Sequence, residues 1–190
     1  MKAISLLSSG IDSPVASKLM AKKGFEIIYL HLKLTPDADA VKNLKSKIDK
    51  NAQLIIKEFY SELEKISLSA NKKYTCILCK RSMLRIAQEV AKEHGAEAII
   101  TGENLGQVAS QTLENMKVID EAVKIPVIRP LLCLDKMEIV KLAREIGTYR
   151  LSTIENKKCP FVPPSPATKS KLEKVQKEEN MFFTRKHNLA

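Results

Sequence analysis

At 190 residues, with 44% hydrophobic side chains, the chain can bury one full core and is short for two. Lys and Arg outnumber Asp and Glu by 32 to 22, a formal charge of +10 that favours an anionic partner, although a lysine-rich solvated surface has the same composition. No segment approaches the roughly 18 uninterrupted apolar residues of a membrane span, and the amino terminus runs straight into an apolar run without room for a leader, so a cytoplasmic protein with no membrane partner is expected.

In chain order, residues 3–7 are apolar apart from Ser5 and end in Ser8, Ser9 and Gly10, which reads as a buried strand entering a tight loop. Ser13 suits an N-cap, Pro14 the first helical position and Gly24 the residue past the end, so a helix is expected between them. Residues 25–32 read as a second strand, 39–60 as one long helix and 66–68 as a short strand. Residues 81–94 carry Met83, Leu84, Ala87, Val90 and Ala91 at helical spacing and close near Gly95. The apolar run 98–100 then ends in Thr101 and Gly102. Residues 107–116 read as a helix, 126–132 as a strand with prolines at its margins, and 136–146 as a helix stopped by Gly147. The alternation calls for an α/β fold, a Rossmann-like parallel sheet with helices on both faces. After Thr148 the texture changes. Residues 159–166 make a rigid proline-rich segment and 168–179 a charged helix, giving one domain over 1–168 and a charged helical tail over 169–190.

In such a sheet, ligands bind beyond the carboxyl ends of the strands. Ser8, Ser9, Gly10, Ile11, Asp12 and Ser13 stand there: small residues let backbone N–H groups approach a phosphate, hydroxyls add donors, and the following helix adds partial positive charge. Neither a Walker A pattern nor GxGxxG is present, which argues against γ-phosphate transfer. Taken alone, the string is equally an N-capped turn. Residues 101–115, TGENLGQVASQTLEN, open on the same sheet edge; Gly102 and Gly106 free the backbone, while Asn104, Gln107, Ser110 and Gln111 offer neutral groups suited to a nucleobase or ribose. Four cysteines in a cytosolic chain point to metal or sulfur chemistry more than to disulfides. Cys76 and Cys79 form a CxxC pair just ahead of a helix, Cys159 opens the proline-rich segment, and Cys133 reads as a core residue. His31, His94 and His187 share no spacing and receive no catalytic role. Basic pairs at Lys72-Lys73, Lys80-Arg81 and Lys157-Lys158 are candidate contacts for nucleic acid.

The string SSGIDS closely resembles the SGGxDS pyrophosphate loop of the ATP-pyrophosphatase superfamily, whose fold is adenine nucleotide alpha hydrolase-like, with Ser9 where many members have glycine. Residues 101–115 resemble the signature of the tRNA uridine 4-sulfurtransferase family, which is also tied to thiamine biosynthesis. The likeness continues through Arg129-Pro130-Leu131, Asp135-Lys136, residues 143–148 and Cys159. It implies ATP and Mg2+ as cofactors, with nucleotide held by Ser8–Ser13, Gly102 and Gln107. It further implies catalytic roles for Asp12, Lys136 and Cys159 in adenylating a uridine O4 so that sulfur can replace the oxygen. Lys136 would meet the charge that develops on phosphate, and Asp12 would position Mg2+ or the loop itself. Cys76, Cys79 and Cys159 are then candidate ligands of a [4Fe-4S] cluster with one open iron, or of zinc; alternatively Cys159 carries a persulfide that Cys76 or Cys79 resolves. The implied partners are tRNA, a sulfur donor (a persulfide carrier or sulfide), a second copy in a homodimer, and a separate THUMP-type RNA-binding protein, since neither the THUMP-containing region nor the rhodanese domain of full-length members is found in these residues. Two other readings remain: an ATP pyrophosphatase acting on a small molecule of sulfur or thiamine metabolism, and a non-catalytic RNA-binding adaptor.

Overall fold

The computed structural model describes residues 1–34, 38–153 and 159–187, with side chains through Met181. Five parallel strands, β1 (Lys2–Leu6), β2 (Glu26–Lys33), β3 (Leu54–Glu58), β4 (Ala98–Ile100) and β5 (Val127–Ile128), form one sheet in the order β3-β2-β1-β4-β5. The central strands are mostly apolar because both faces are covered. Successive side chains point to opposite faces, so Ala3, Ile27, Tyr29, Ala98 and Ile100 enter one core while Ile4, Ile28, Leu30 and Ile99 enter the other. The first core is covered by α1 (Asp12–Lys22), α2 (Asp39–Ile48) and α6 (Lys136–Glu145), through buried residues such as Val15, Val41 and Ile139. The second takes α3 (Tyr60–Ser69), α4 (Thr75–His94), α5 (Leu113–Asp120) and, through fully buried Val175, α8 (Leu172–His187). The short helix α7 (Tyr149–Thr153) packs on α2 and α6. No described helix is long and apolar enough to cross a membrane.

The α/β architecture is as expected, with local corrections. The stretch 39–60 is not one helix. Asp49 accepts hydrogen bonds from the backbone N–H groups of Asn51 and Ala52, a turn that ends α2 and lets the apolar run Leu54, Ile55 and Ile56 join the sheet as edge strand β3. Residues 66–68 accordingly lie inside α3, with Ile66 buried on its inner face. Helix α4 starts at Thr75 because Ile77 and Leu78 extend its buried stripe backwards, so the CxxC pair occupies the first turns of the helix instead of preceding it. The expected helix over 107–116 is a 3-10 turn at Ala109–Gln111 followed by α5, where the Thr112 side chain accepts from Asn115 N–H as N-cap. Strand β5 is two residues long, because Pro130 begins a turn; Cys133 falls in that turn and is exposed, not core. Ser13 does not cap α1: the helix starts at Asp12, and the Ser13 hydroxyl serves the loop before it. Of the basic pairs, Arg81 is buried, Lys80 is half-buried in an ion pair, and Lys157-Lys158 lies outside the described residues.

Candidate active site

The chain runs from β1 outward to β3, then returns to β4 on the other side of β1. Between β1 and β4 the strand order reverses, and a crevice opens there beyond the carboxyl ends. Both small-residue loops emerge at this crevice. The first folds around two hydroxyls: Ser8 N–H donates to Ser13 Oγ at 2.9 Å, the two side-chain oxygens are 3.0 Å apart, and Gly10 N–H donates to Ser8 Oγ at 3.3 Å. Behind it, Ser17 Oγ donates to Ser13 O and is 2.7 Å from Ser5 Oγ, which explains the polar residue in β1. No side chain caps α1, so its first amides open toward the loop as anion donors. Ser152 of α7 steadies the loop from above by donating to Gly10 O at 3.4 Å.

Gly102 joins the two loops. A β-carbon there would lie 2.6 Å from Ser13 N and 2.7 Å from Ser13 Cα, so only glycine lets these backbones touch. Its close approach is therefore to the first loop itself. Lys136, the first residue of α6, donates from Nζ to Asp12 Oδ1 at 2.8 Å across 124 positions of sequence. Its helix start is fixed by a full capping box between Asp135 and Glu138. The pair is half-exposed, which leaves it weak enough to exchange its partner for a phosphate. The Asp12 carboxylate is also the kind of hard oxygen ligand that would hold Mg2+.

The remaining polar groups of the second loop divide. Asn104 is buried and spends its amide N–H groups on the carbonyls of Leu131 (2.8 Å) and Leu134, so it builds the loop and is not available to a base. Ser110 is buried, Gln107 is exposed in a turn made on Gly106 at φ 78°, and Gln111 keeps a buried side-chain oxygen without a partner. Glu103, which the sequence reading passed over, accepts from Lys80 Nζ at 2.6 Å and from Arg129 Nε at 2.8 Å; Arg129 in turn grips Asp120 with both terminal nitrogens. Burial opposes ionisation of Glu103, but the two cations outweigh it and hold the carboxyl below the usual glutamate range. An acidic residue directly after a strand-end glycine, with a lysine beside the CxxC pair, was the signal in the sequence. His31 donates from Nδ1 to Leu7 O at 2.9 Å, and burial pushes its imidazole toward the neutral form.

Cys76 and Cys79 lie one turn apart on α4, and Cys159 is half-buried with Cys79 against the same core. All are free thiols. Burial pushes Cys76 and Cys79 up, the neighbouring Cys159 pushes both further, and Lys80 opposes this at both, so the three sulfurs share one electrostatic neighbourhood. Among the described residues, no three His, Cys, Asp or Glu side chains are placed as a metal-binding group. As they stand, the thiols are not a preformed ligand set for a cluster or for zinc. Cys159 is brought to α4 because the tail folds back: Ala167 N–H donates to Lys73 O at 3.0 Å, and Phe161 meets Tyr60 edge-on with ring centroids 5.4 Å apart.

The family model described as "Thiamine biosynthesis protein (ThiI)" matches residues 1–183. The chain belongs to the ThiI family. Relatives in this family include proteins named "Probable tRNA sulfurtransferase" from Methanocaldococcus jannaschii, 45% identical over 184 residues, and from Thermococcus kodakarensis, 42% identical over 185. Each alignment covers 93% of this chain but 48% and 49% of the relative, so the chain spans about half the length of the curated relatives it matches. Among solved structures, a 4-thiouridine synthetase in complex with RNA and bound ATP superposes with a TM-score of 0.89 at 38% identity, covering 95% of this chain and 50% of that one. The NAD+ synthetase of Burkholderia pseudomallei, 13% identical with a TM-score of 0.57 over 98% of this chain and 81% of its own, shares the fold. The ThiI-family match therefore includes both crevice loops, Lys136 and all four cysteines.

Proposed function

We propose that this chain is the ATP-using, sulfur-transferring half of a tRNA-thiolating enzyme that forms 4-thiouridine. The observation that carries the reading is the meeting of Lys136 with Asp12 at 2.8 Å beside the open amino terminus of α1, at the switch point of the sheet. A nucleotide triphosphate laid along Ser8–Ser13 puts its phosphates on the helix amides and its α-phosphate within reach of Lys136. Asp12 would hold a Mg2+ ion, which would supply screening of the charge on the leaving pyrophosphate. Uridine O4 attacks the α-phosphorus, the bond to pyrophosphate breaks, and the ammonium of Lys136 meets the charge that develops. The related synthetase bound to RNA and ATP, and the relatives named as tRNA sulfurtransferases, support tRNA as the substrate.

For the second step, the neighbourhood of three thiols supports a relay. A persulfide on Cys159, loaded by a persulfide carrier, attacks C4 with its terminal sulfur, and the C4–O bond breaks to release AMP. A thiolate from Cys76 or Cys79 then attacks Cys159 Sγ; the S–S bond to the base breaks, the thiolated uridine leaves, and the protein disulfide is reduced by an external dithiol. Iron and acid-labile sulfide in protein purified without oxygen separate this relay from a cluster on the same cysteines. A THUMP-type RNA-binding module supplies the remaining grip on tRNA.

Calorimetry with ATP tests the first half. Binding is expected in the wild type, weakened in Asp12→Ala and in Gly102→Ala, whose methyl group drives the two loops apart. No binding to the wild type at millimolar ATP ends the enzymatic reading.

A further inference from the structure

Asn115 closes the TGENLGQVASQTLEN stretch, yet two of its three side-chain bonds go to the tail and not to a crevice loop. It is fully buried on α5 and its side chain is almost wholly committed: Nδ2 donates to Ala109 O at 2.7 Å and to Ala167 O at 2.8 Å, and Oδ1 accepts from Ser170 N–H at 3.0 Å. Thr112, the N-cap of the same helix, accepts from Asn115 N–H at 3.2 Å and donates its hydroxyl to Thr168 O at 2.6 Å. Two residues of one helix start thus grip three points of the tail, at 167, 168 and 170. Ala167 is gripped from the other side as well, by Lys73 O, two residues before α4 begins.

We propose that Asn115, assisted by Thr112, is a positioning residue for Cys159: it fixes the far end of the proline-rich segment so that the thiol at its near end stands over Cys76 and Cys79. The segment between the lock and the thiol contains Pro160, Pro163, Pro164 and Pro166, and Pro163 is buried. Prolines fix φ and stiffen the chain, so a displacement at Ala167 is carried to Cys159 instead of being absorbed between them. Phe161 and Ala167 pack against the same core as Cys79 and Cys159, which places the lock, the segment and both sulfurs along one continuous surface. Its sequence neighbours Met116, Val118 and Ile119 are buried and apolar, and a role as tail anchor explains the polar choice at 115. The inference rests on the thiol relay proposed above, for which Cys159 must reach a second sulfur.

The test is intramolecular cross-linking of the reduced protein by a short bis-thiol reagent, in a Cys133→Ser background that removes the exposed fourth thiol, with linked peptides resolved by mass. In the parent, Cys159 is expected to link to Cys76 or Cys79. Asn115→Ala should slow linking about tenfold relative to single alkylation of Cys159, because the effective concentration of the two sulfurs falls. Thr112→Val should slow it less, and it serves in place of Asn115→Ala if that variant does not fold. Ile139→Val, in the opposite core, controls for general loss of stability. Linking at the parental rate in Asn115→Ala overturns the inference, and so does an equal slowing in Ile139→Val at matched unfolding temperature. A parent in which Cys159 links to neither cysteine overturns the inference and the relay together, while ATP binding by calorimetry still stands or falls on its own.

Discussion

At the scale of single residues, the site depends on one exposed ion pair and one glycine. The contact between Lys136 and Asp12 is half in solvent, and pairs of this kind contribute only about 0.2–1 kcal/mol to stability. Lys136→Ala should therefore unfold at nearly the wild-type temperature. Its adenylation rate, read as pyrophosphate release with substrate RNA, should nevertheless fall about 10²-fold, because in the proposed mechanism the ammonium acts on charge present only in the transition state. An unchanged rate removes Lys136 from the mechanism. The loop from Ser8 to Ser13 was legible in the sequence because it joins a strand end to a helix start, where local signals are strong, whereas the roles expected of Asp12 and Lys136 came from the family resemblance. Asn104 misled for a physical reason: a side-chain amide looks the same in sequence whether it faces a base or holds two carbonyls of its own turn.

At the scale of elements, α8 is held by charge sunk in the second core. Glu179, on α8, takes two bonds from Arg81 (3.1 and 2.9 Å) and two from Arg85, while Arg81 also reaches Val118 O and is 1% exposed. Burial alone would push the Glu179 carboxyl up, but the two guanidinium groups hold it below the usual glutamate range. A carboxyl depressed in the folded state contributes stability above its unfolded pKa, and that contribution is lost as pH falls through the depressed value. Glu179→Gln leaves Arg81 buried without its counter-charge, at a cost of about 3–5 kcal/mol near neutral pH. Denaturant unfolding should show that loss at pH 7 and a smaller difference from wild type as the solution is taken below the carboxylate range. Equal stability at pH 7 would mean the cluster adds nothing to docking. Sequence periodicity marked α8 only as a charged helix, since a lone buried glutamate among exposed ones carries no local sign.

At the scale of the whole molecule, the charge surplus has to be read after the internal pairs are taken out. Arg81 and Arg129 are sunk against carboxylates, and Lys80 is half-buried against Glu103, whereas Lys72 and Lys73 stand exposed at the start of the helix that carries Cys76 and Cys79. If tRNA approaches that edge, its binding should weaken linearly with the logarithm of salt concentration, and Lys72→Ala with Lys73→Ala should lower the slope by about 1–2. A slope unchanged by both substitutions places the RNA elsewhere. The sequence by itself determined the sheet class and the crevice loops, because apolar runs, glycines and caps act over a few residues; Asp12, Lys136 and Cys159 became candidates through the family resemblance. Which strand ends the sheet, which cysteine is exposed, and how the tail returns to α4 were decided only by tertiary structure. Those outcomes follow from contacts between residues such as Asn115 and Ala167, 52 positions apart, which no local pattern encodes.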